Sequence, residues 1–295
     1  MKNFKFVENK KIWFSISIII IAIGLIFTFI NGGLNFGIDF TGGATIQAKI
    51  GKTFEVSEIR AIMDKYDKEA TVTYAGEARD EVVIRTKLAL DDANRKAILD
   101  SFIEKYGITT GNINFETIGP AIGNELKKQA LWALVLANIG ILIYISFRFE
   151  WKFGLAAVIA LIHDVIMMIV LYGVTRIPVN SSFIAAILTI VGYSINNTIV
   201  IFDRVRENLK NVKKIDDVQL VNESISQTLS RSVNTSLTTL LTVLALYILG
   251  VPAIKDFALP LIAGILAGTY SSIFISGPLW IILKGNSKPK TRTAH

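Results

Sequence analysis

Six stretches of this 295-residue chain are free of charge, or nearly so, and each is long enough to cross a bilayer as a helix. They run from Ile12 to Ile38, Gln129 to Phe147, Phe153 to Thr175 with only Asp164 interrupting, Ile177 to Phe202, Ser232 to Ile254 and Phe257 to Leu283. A helix of about 20 apolar residues spans roughly 30 Å of hydrocarbon. No water is present there to pair with the backbone, so each stretch is committed to helical hydrogen bonding. A chain that is 52% hydrophobic and only 19% charged does not fit the soluble globular class. Six prolines, 21 glycines and no cysteine exclude disorder, collagen and a disulfide scaffold. The first run is too long for a signal peptide, and no small-x-small cleavage site follows Phe29 and Ile30, so it reads as an uncleaved anchor.

The formal charge of +7 suggests nucleic acid until the charges are placed. Between Asn31 and Lys128 there are 13 Lys and Arg against 15 Asp and Glu, a net of −2, which leaves +9 for the membrane part. Basic residues in short loops favour the cytoplasmic side. Lys2, Lys5, Lys10 and Lys11, then Arg148 and Lys152, then Arg204, Arg206, Lys210, Lys213 and Lys214, and finally Lys284, Lys288, Lys290 and Arg292 all fall on one side of a six-span topology. The opposite short connections carry only Arg176 and Lys255. Both termini are therefore expected in the cytoplasm, with the segment after the first span outside. The basic loops orient the chain and touch anionic lipid, and no nucleic-acid partner is expected.

From about Asn35 to Glu125 the pattern turns soluble. Ala44 to Ile50 reads as a strand, Ser57 as the cap of a helix carrying Ile59, Ile62, Met63 and Tyr66, and Thr71 to Tyr74 and Glu81 to Lys87 as two further strands. Asp91 caps a second helix that Gly107 stops, and Ile113 to Ile118 is a last strand before Gly119-Pro120. The order β-α-β-β-α-β is the ferredoxin-like split pattern. The segment has no His and no Cys, and its charges are spaced like a solvated surface, so a binding or moving module is expected rather than an enzyme.

The expected fold is an α-helical polytopic membrane protein of six transmembrane helices with an inserted α+β ferredoxin-like extracytoplasmic domain. Residues 1–34 hold the N-terminus and first span, 35–125 the outer domain, and 126–284 the second to sixth spans with a cytoplasmic loop over 203–228. A basic tail occupies 285–295.

Three places carry polar groups where apolar ones would suffice. At the exit of the first span, Gly37-Ile38-Asp39-Phe40-Thr41-Gly42-Gly43 sets a carboxylate and a hydroxyl among three glycines, which permit unusual backbone angles and close packing. It is either a tight turn entering the first strand, with Asp39 capping exposed amides, or a functional element. It is a poor phosphate loop, because no Lys follows and it leads to a strand. Asp164 lies about 12 residues in from Lys152, roughly 18 Å deep. An ionisable group at that depth is a functional candidate, for ion movement or for a hydrogen bond to a neighbouring span. His163 beside it points about 100° away on a helix and is not expected to pair with it as a catalytic dyad. The fourth span ends in Gly192-Tyr193-Ser194-Ile195-Asn196-Asn197-Thr198, close to Asp203, Arg204, Arg206 and Glu207. In the fifth span Thr228, Arg231, Thr235, Thr238 and Thr242 recur at helical spacing and are expected to face one way, with Arg231 level with Asn197. Arg231 is either a relay group or a residue snorkelling at a helix end.

With these residues in view, the chain resembles the SecF family, the six-span subunits of the SecDF accessory complex of bacterial protein export and members of the resistance-nodulation-division superfamily. The resemblance covers nearly the whole length. It rests on Gly37 through Gly43, Phe147-Arg148-Phe149-Glu150-Trp151, His163-Asp164, and Gly192 through Asn208 ending in Phe202-Asp203-Arg204-Val205-Arg206-Glu207-Asn208. It implies a SecD partner forming a second six-span half, in the bacterial cytoplasmic membrane. It also implies binding of unfolded preprotein emerging from the SecYEG channel and completion of translocation after SecA has pushed, driven by an ion gradient of H+ or Na+, with no cofactor.

In the family an intramembrane carboxylate of SecD, a span-four acid and a span-five arginine form the relay. The arginine matches Arg231, and the acid falls on position 197, where this chain has Asn197. A carboxamide does not titrate. Three accounts are open: the partner's carboxylate carries the proton while Asn197 hydrogen-bonds, the site takes sodium through amide and hydroxyl oxygens, or the substitution is engineered or inactivating. The candidate relay is thus Arg231, Asn197 and Asp164. The rival readings are a small-molecule or lipid exporter of the same superfamily and an intramembrane enzyme. The second lacks a convergent nucleophile and base, since the chain has no cysteine and only His163 and His295.

Overall fold

A computed structural model of the chain describes residues 5–76, 79–211 and 216–285. Lys2, Lys213, Lys214, Lys288, Lys290 and Arg292, counted above with the basic segments, lie outside the described residues, as does the expected tail beyond Gly285. Helix α1 (Lys10–Ile30) is the first span, and a single turn, α2 (Ile38–Thr41), leads into the outer domain. That domain consists of β1 (Gly43–Lys49), α3 (Val56–Met63), β2 (Thr71–Ala75), β3 (Glu81–Thr86), α4 (Asp92–Tyr106) and β4 (Ile113–Ile118). The remaining spans are α5 (Pro120–Arg148), α6 (Trp151–Thr175), α7 (Ser181–Asn211), α8 (Asp217–Leu249) and α9 (Pro252–Ser271). The last continues through a π-helical segment, Ser272–Ser276, into α10 (Gly277–Lys284). Six helical spans are long and apolar enough to cross a membrane, which makes this a multi-pass membrane protein.

The four strands form one antiparallel sheet in the order β2-β3-β1-β4. Alternation along β1 and β3 turns Ala44, Ile46, Ala48, Val82 and Ile84 to one face, where Ile59, Ile62 and Met63 of α3 and Ile98 and Phe102 of α4 close the core. Ile46 pairs with Ile84, which pairs in turn with Val72. Asp91 accepts from the Asn94 amide at 2.7 Å, and Gly107 ends α4 at φ +69°, a left-handed position suited to glycine. Ser57 does not cap α3. The helix starts at Val56, the N-cap position is Glu55, and Ser57 lies inside the first turn.

In the membrane part α6, α7 and α9–α10 form the centre. The apolar windows of those spans are half or more buried, whereas the windows of α1, α5 and α8 are 11%, 6% and 17% buried, leaving three peripheral helices with broad outward faces. Small residues allow close approach: Gly24 of α1 lies against Val170, and Gly173 of α6 lies against Thr28, where a Cβ would overlap the neighbour.

Two expected boundaries shift. The second span begins at Pro120, inside the expected 35–125 segment, because proline is well suited to the first helical position. Much of the expected loop over 203–228 is helical, to Asn211 and again from Asp217. Polar pairs carry both helices past their apolar stretches: Arg204 with Glu207 and Gln227 at 2.6 Å each, and Asn208 with Ser224 at 2.8 Å. The sheet core makes a direct prediction. Ile84→Ala should lower the stability of the outer domain by about 2–5 kcal/mol, read as a lower denaturation midpoint of the purified chain with the helical signal of the spans unchanged.

Candidate functional site

The motif at the exit of the first span forms a joint between the outer domain and the spans. Asp39 Oδ2 accepts from the amide of Ser181, the first residue of α7, at 2.8 Å. The Gly37 amide donates to the Val179 carbonyl and the Val179 amide to the Asn35 carbonyl, each at 2.8 Å, so the chain before α7 is strapped to the chain after α1. Asp39 therefore does cap a free amide, but one belonging to another span, where a negative group also complements the helix dipole. Gly43 has φ +146°, and a Cβ there would collide with the Thr86 carbonyl; one on Gly42 would press on Pro120. Thr41 donates to the Gly37 carbonyl at 3.1 Å and closes the turn. On the same side, Arg85 of β3 pairs with Asp256 of α9 at 3.4 Å.

In the bundle, Asp164 is 1% exposed. Its Oδ2 accepts from the hydroxyls of Ser194 on α7 at 2.6 Å and Ser271 on α9 at 2.8 Å. Its Oδ1 lies 2.9 Å from Nδ1 of His163, and Nε2 of that ring lies 2.9 Å from Ser17 Oγ on α1. The adjacent pair is thus joined, contrary to the expectation from helical geometry. The Cβ vectors diverge, but the ring is long enough to lie along the helix surface between Asp164 and Ser17. The hydrogen bonds to Asp164 and His163 thereby link α1, α6, α7 and α9. The network extends through Ser272, whose hydroxyl lies 2.9 Å from Thr198 Oγ1 and donates to the Ser194 carbonyl at 3.4 Å. Ser271 and Ser272 stand where α9 widens into the π-helical segment, a feature often found at functional sites.

The other expected relay residues are not brought to Asp164. Asn197 is buried and donates through Nδ2 to Ser236 Oγ of α8 at 3.3 Å, the same oxygen that Thr269 approaches at 2.7 Å. Pairing of Asn208 with Ser224 and of Asn197 with Ser236 sets the antiparallel register of α7 and α8. That register places Arg231 beside Ile201 and Phe202, about 6–8 Å along the axis from Asn197. The expected stripe on α8 is split. Thr228 is buried, while Arg231, Thr238 and Thr242 are exposed, and the two threonines donate back to carbonyls of their own helix. Arg231 has no ion pair or hydrogen bond among the described residues. On α7, Gly192 and Asn196 are also exposed, and the hydroxyl of the half-buried Tyr193 has no hydrogen-bond partner among the described residues.

At the basic end, Asp203 faces Arg148 at 3.9 Å, and Arg206 donates to the Arg148 carbonyl at 3.1 Å and lies over the Phe149 ring. Ser17, Ser236, Thr269, Ser271 and Ser272 were not singled out from the sequence. Hydroxyls inside otherwise apolar runs were the available signal.

Residues 98–286 match the family described as protein export membrane protein SecD/SecF, C-terminal, and residues 27–53 match the SecD/SecF GG motif. The chain is 38% identical to protein translocase subunit SecF of Magnetococcus marinus, over 98% of this chain and 94% of that one. It is 41% identical to the SecF subunit of Sebaldella termitidis, over 97% and 94%. The crystal structure of SecDF, a translocon-associated membrane protein from Thermus thermophilus, superposes with a TM-score of 0.81 at 38% identity, covering 95% of this chain and 38% of that longer one.

The cap between Asp39 and Ser181 is directly testable. Asp39→Ala should lower stability by about 1 kcal/mol and speed hydrogen exchange at the first amides of α7, while Asp39→Asn retains most of the protection.

Proposed function

Because the chain belongs to the SecD/SecF family of protein-export membrane proteins, as a SecF-type translocase subunit, we propose that it completes polypeptide export together with a SecD partner, driven by an ion gradient. The single observation that carries this reading is the outward polar face in the membrane. Arg231 of α8 and Asn196 of α7 are exposed on helices whose surroundings would otherwise be hydrocarbon, whereas Thr238 and Thr242 beside them already donate to their own helix. Lipid tails offer such groups no partner. A second six-span half does, and a carboxylate presented by it would meet the unpaired guanidinium of Arg231. Asn197 then acts as a fixed hydrogen-bonding group between α7 and α8, and the charge that titrates against Arg231 comes from SecD. H+ is the coupling ion favoured here, with Na+ the other candidate.

The outer domain rides on spans two and four through the joint at Asp39, Gly42 and Gly43, so movement of those spans is transmitted to a surface that meets unfolded preprotein leaving SecYEG. SecA acts upstream and without contact. The subunit works as a non-enzymatic device in the bacterial cytoplasmic membrane, with both termini in the cytoplasm and its basic ends on anionic lipid. The named relatives are protein translocase subunits, which fits protein export and not the small-molecule or lipid exporter.

Two measurements test this. In vesicles holding the SecD complex, Arg231→Ala should reduce gradient-stimulated export to the level seen without a gradient while co-purification with SecD is retained; export at the unaltered rate would refute the role of Arg231. The natural absence of cysteine allows single reporters. Lys210→Cys should react with an impermeant thiol reagent only from the cytoplasmic side, and Lys96→Cys only from the outside.

A further inference from the structure

His163 plays no part in the relay just described, yet it is one of two histidines in the chain and is held at both ring nitrogens inside the bundle. Resting on the ion-driven reading above, we infer that the proton-binding centre within this subunit is the imidazole of His163, with Asp164 as its fixed counter-charge and Ser17 as its proton-exchange partner.

The donor arithmetic around Asp164 sets the protonation pattern. Ser194 and Ser271 donate to Oδ2, and the remaining contact, at Oδ1, is the imidazole Nδ1. With Asp164 taken as the ionised counter-charge of this inference, both of its oxygens accept, so the ring hydrogen is assigned to Nδ1 and Nε2 is the open acceptor. Nε2 faces the Ser17 hydroxyl at 2.9 Å.

A further proton is therefore taken up at Nε2. Ser17 passes its hydroxyl proton to Nε2 and takes up one from the aqueous phase, where H3O+ becomes H2O, after which the imidazolium donates to Ser17 Oγ. No heavy atom has to move, and the pair changes from a net charge of −1 to zero. Release runs the same steps in reverse. Ser17 lies seven residues from Lys10, about 10 Å along α1, so exchange with solvent is shortest towards the basic end.

The other groups around the pair do not compete for the proton. From α7 and α9 come the hydroxyls of Ser194 and Ser271. Tyr270 stacks on the His163 ring with centroids 6.1 Å apart, and its own proton is committed to the Trp13 carbonyl at 2.8 Å. Neutralising the pair alters the pull of Asp164 on Ser194 and Ser271, and hence on α7 and on the α9 turn next to the π segment. This couples proton occupancy to the helix that Asp39 caps.

The test uses the full chain with its SecD partner in nanodiscs, 15N-labelled at histidine. His295→Ala removes the only other histidine signal. The expected result is a reversible change of His163 from the Nδ1–H neutral form to imidazolium as the pH is lowered, with the imidazolium signal lost in Asp164→Asn. In vesicles, His163→Gln should remove one inflection from the pH profile of gradient-stimulated export, leaving that of the SecD carboxylate, while assembly with SecD persists. A gradient effect in the unaltered complex together with a His163 ring whose protonation does not change with pH overturns this inference alone. So does a wild-type pH profile in His163→Gln. The NMR titration decides the matter even if a substituted chain fails to assemble. Absence of any gradient effect in the unaltered complex overturns the ion-driven reading on which the inference rests.

Discussion

A carboxylate buried in the middle of a helical bundle has to find its hydrogen bonds within the protein, and much of this membrane fold is arranged around that obligation at Asp164. Leaving such a group without partners costs several kcal/mol, so the helices carrying its donors must arrive at one point. Ser194 brings α7 there, Ser271 brings α9, and His163 reaches across to Ser17 on α1. Dispersion between apolar helices has little directional preference in lipid, because hydrocarbon packs against hydrocarbon almost as well. The polar contacts therefore select one rotation of each helix among many with similar packing. The π-helical segment after Ser271 belongs to the same solution, since an extra residue in the turn adjusts which side chains face inward.

The second constraint is mechanical. The outer domain has its own core of Ile46, Ile84, Ile98 and Phe102, separate from that of the spans. It is tied to them by short backbone straps, by the Asp39 cap on α7 and by the close fit of Gly42 against Pro120 of α5. Glycine is required at Gly43 because its backbone lies at positive φ and there is no room for a Cβ. A joint of this kind passes displacement of α5 and α7 to the sheet without depending on a flexible linker.

Much of this was legible in the sequence because it depends on local physics. The six spans follow from charge-free length, the βαββαβ order from alternation and helical spacing, and the end of α4 from Gly107. Asp91 announced its cap correctly. Ser57 did not, because Glu55 already has the extended backbone of a cap position and the helix begins at the next residue. The pairing of His163 with Asp164 was missed since helical angles describe Cβ directions and not the reach of an imidazole. The threonine stripe on α8 was overcounted because hydroxyls can bond their own helix at i−4, as Thr238 and Thr242 do, and need no partner elsewhere.

By itself, the sequence determined how many helices cross the membrane, where the soluble domain is inserted, which residues are ionisable within the spans and that position 197 holds a group that does not titrate. Those are properties of composition and period, and they are complete before any two segments meet. Only the tertiary structure decided which polar groups share a site: Asp164 with Ser194, Ser271 and His163, Asn197 with Ser236, and Arg231 turned outward, a little over one turn from its expected neighbour. The reason is that partner choice depends on the rotation and axial register of each helix. Those two quantities are set jointly by the packing and polar contacts of all the spans, and no single stretch of sequence encodes them.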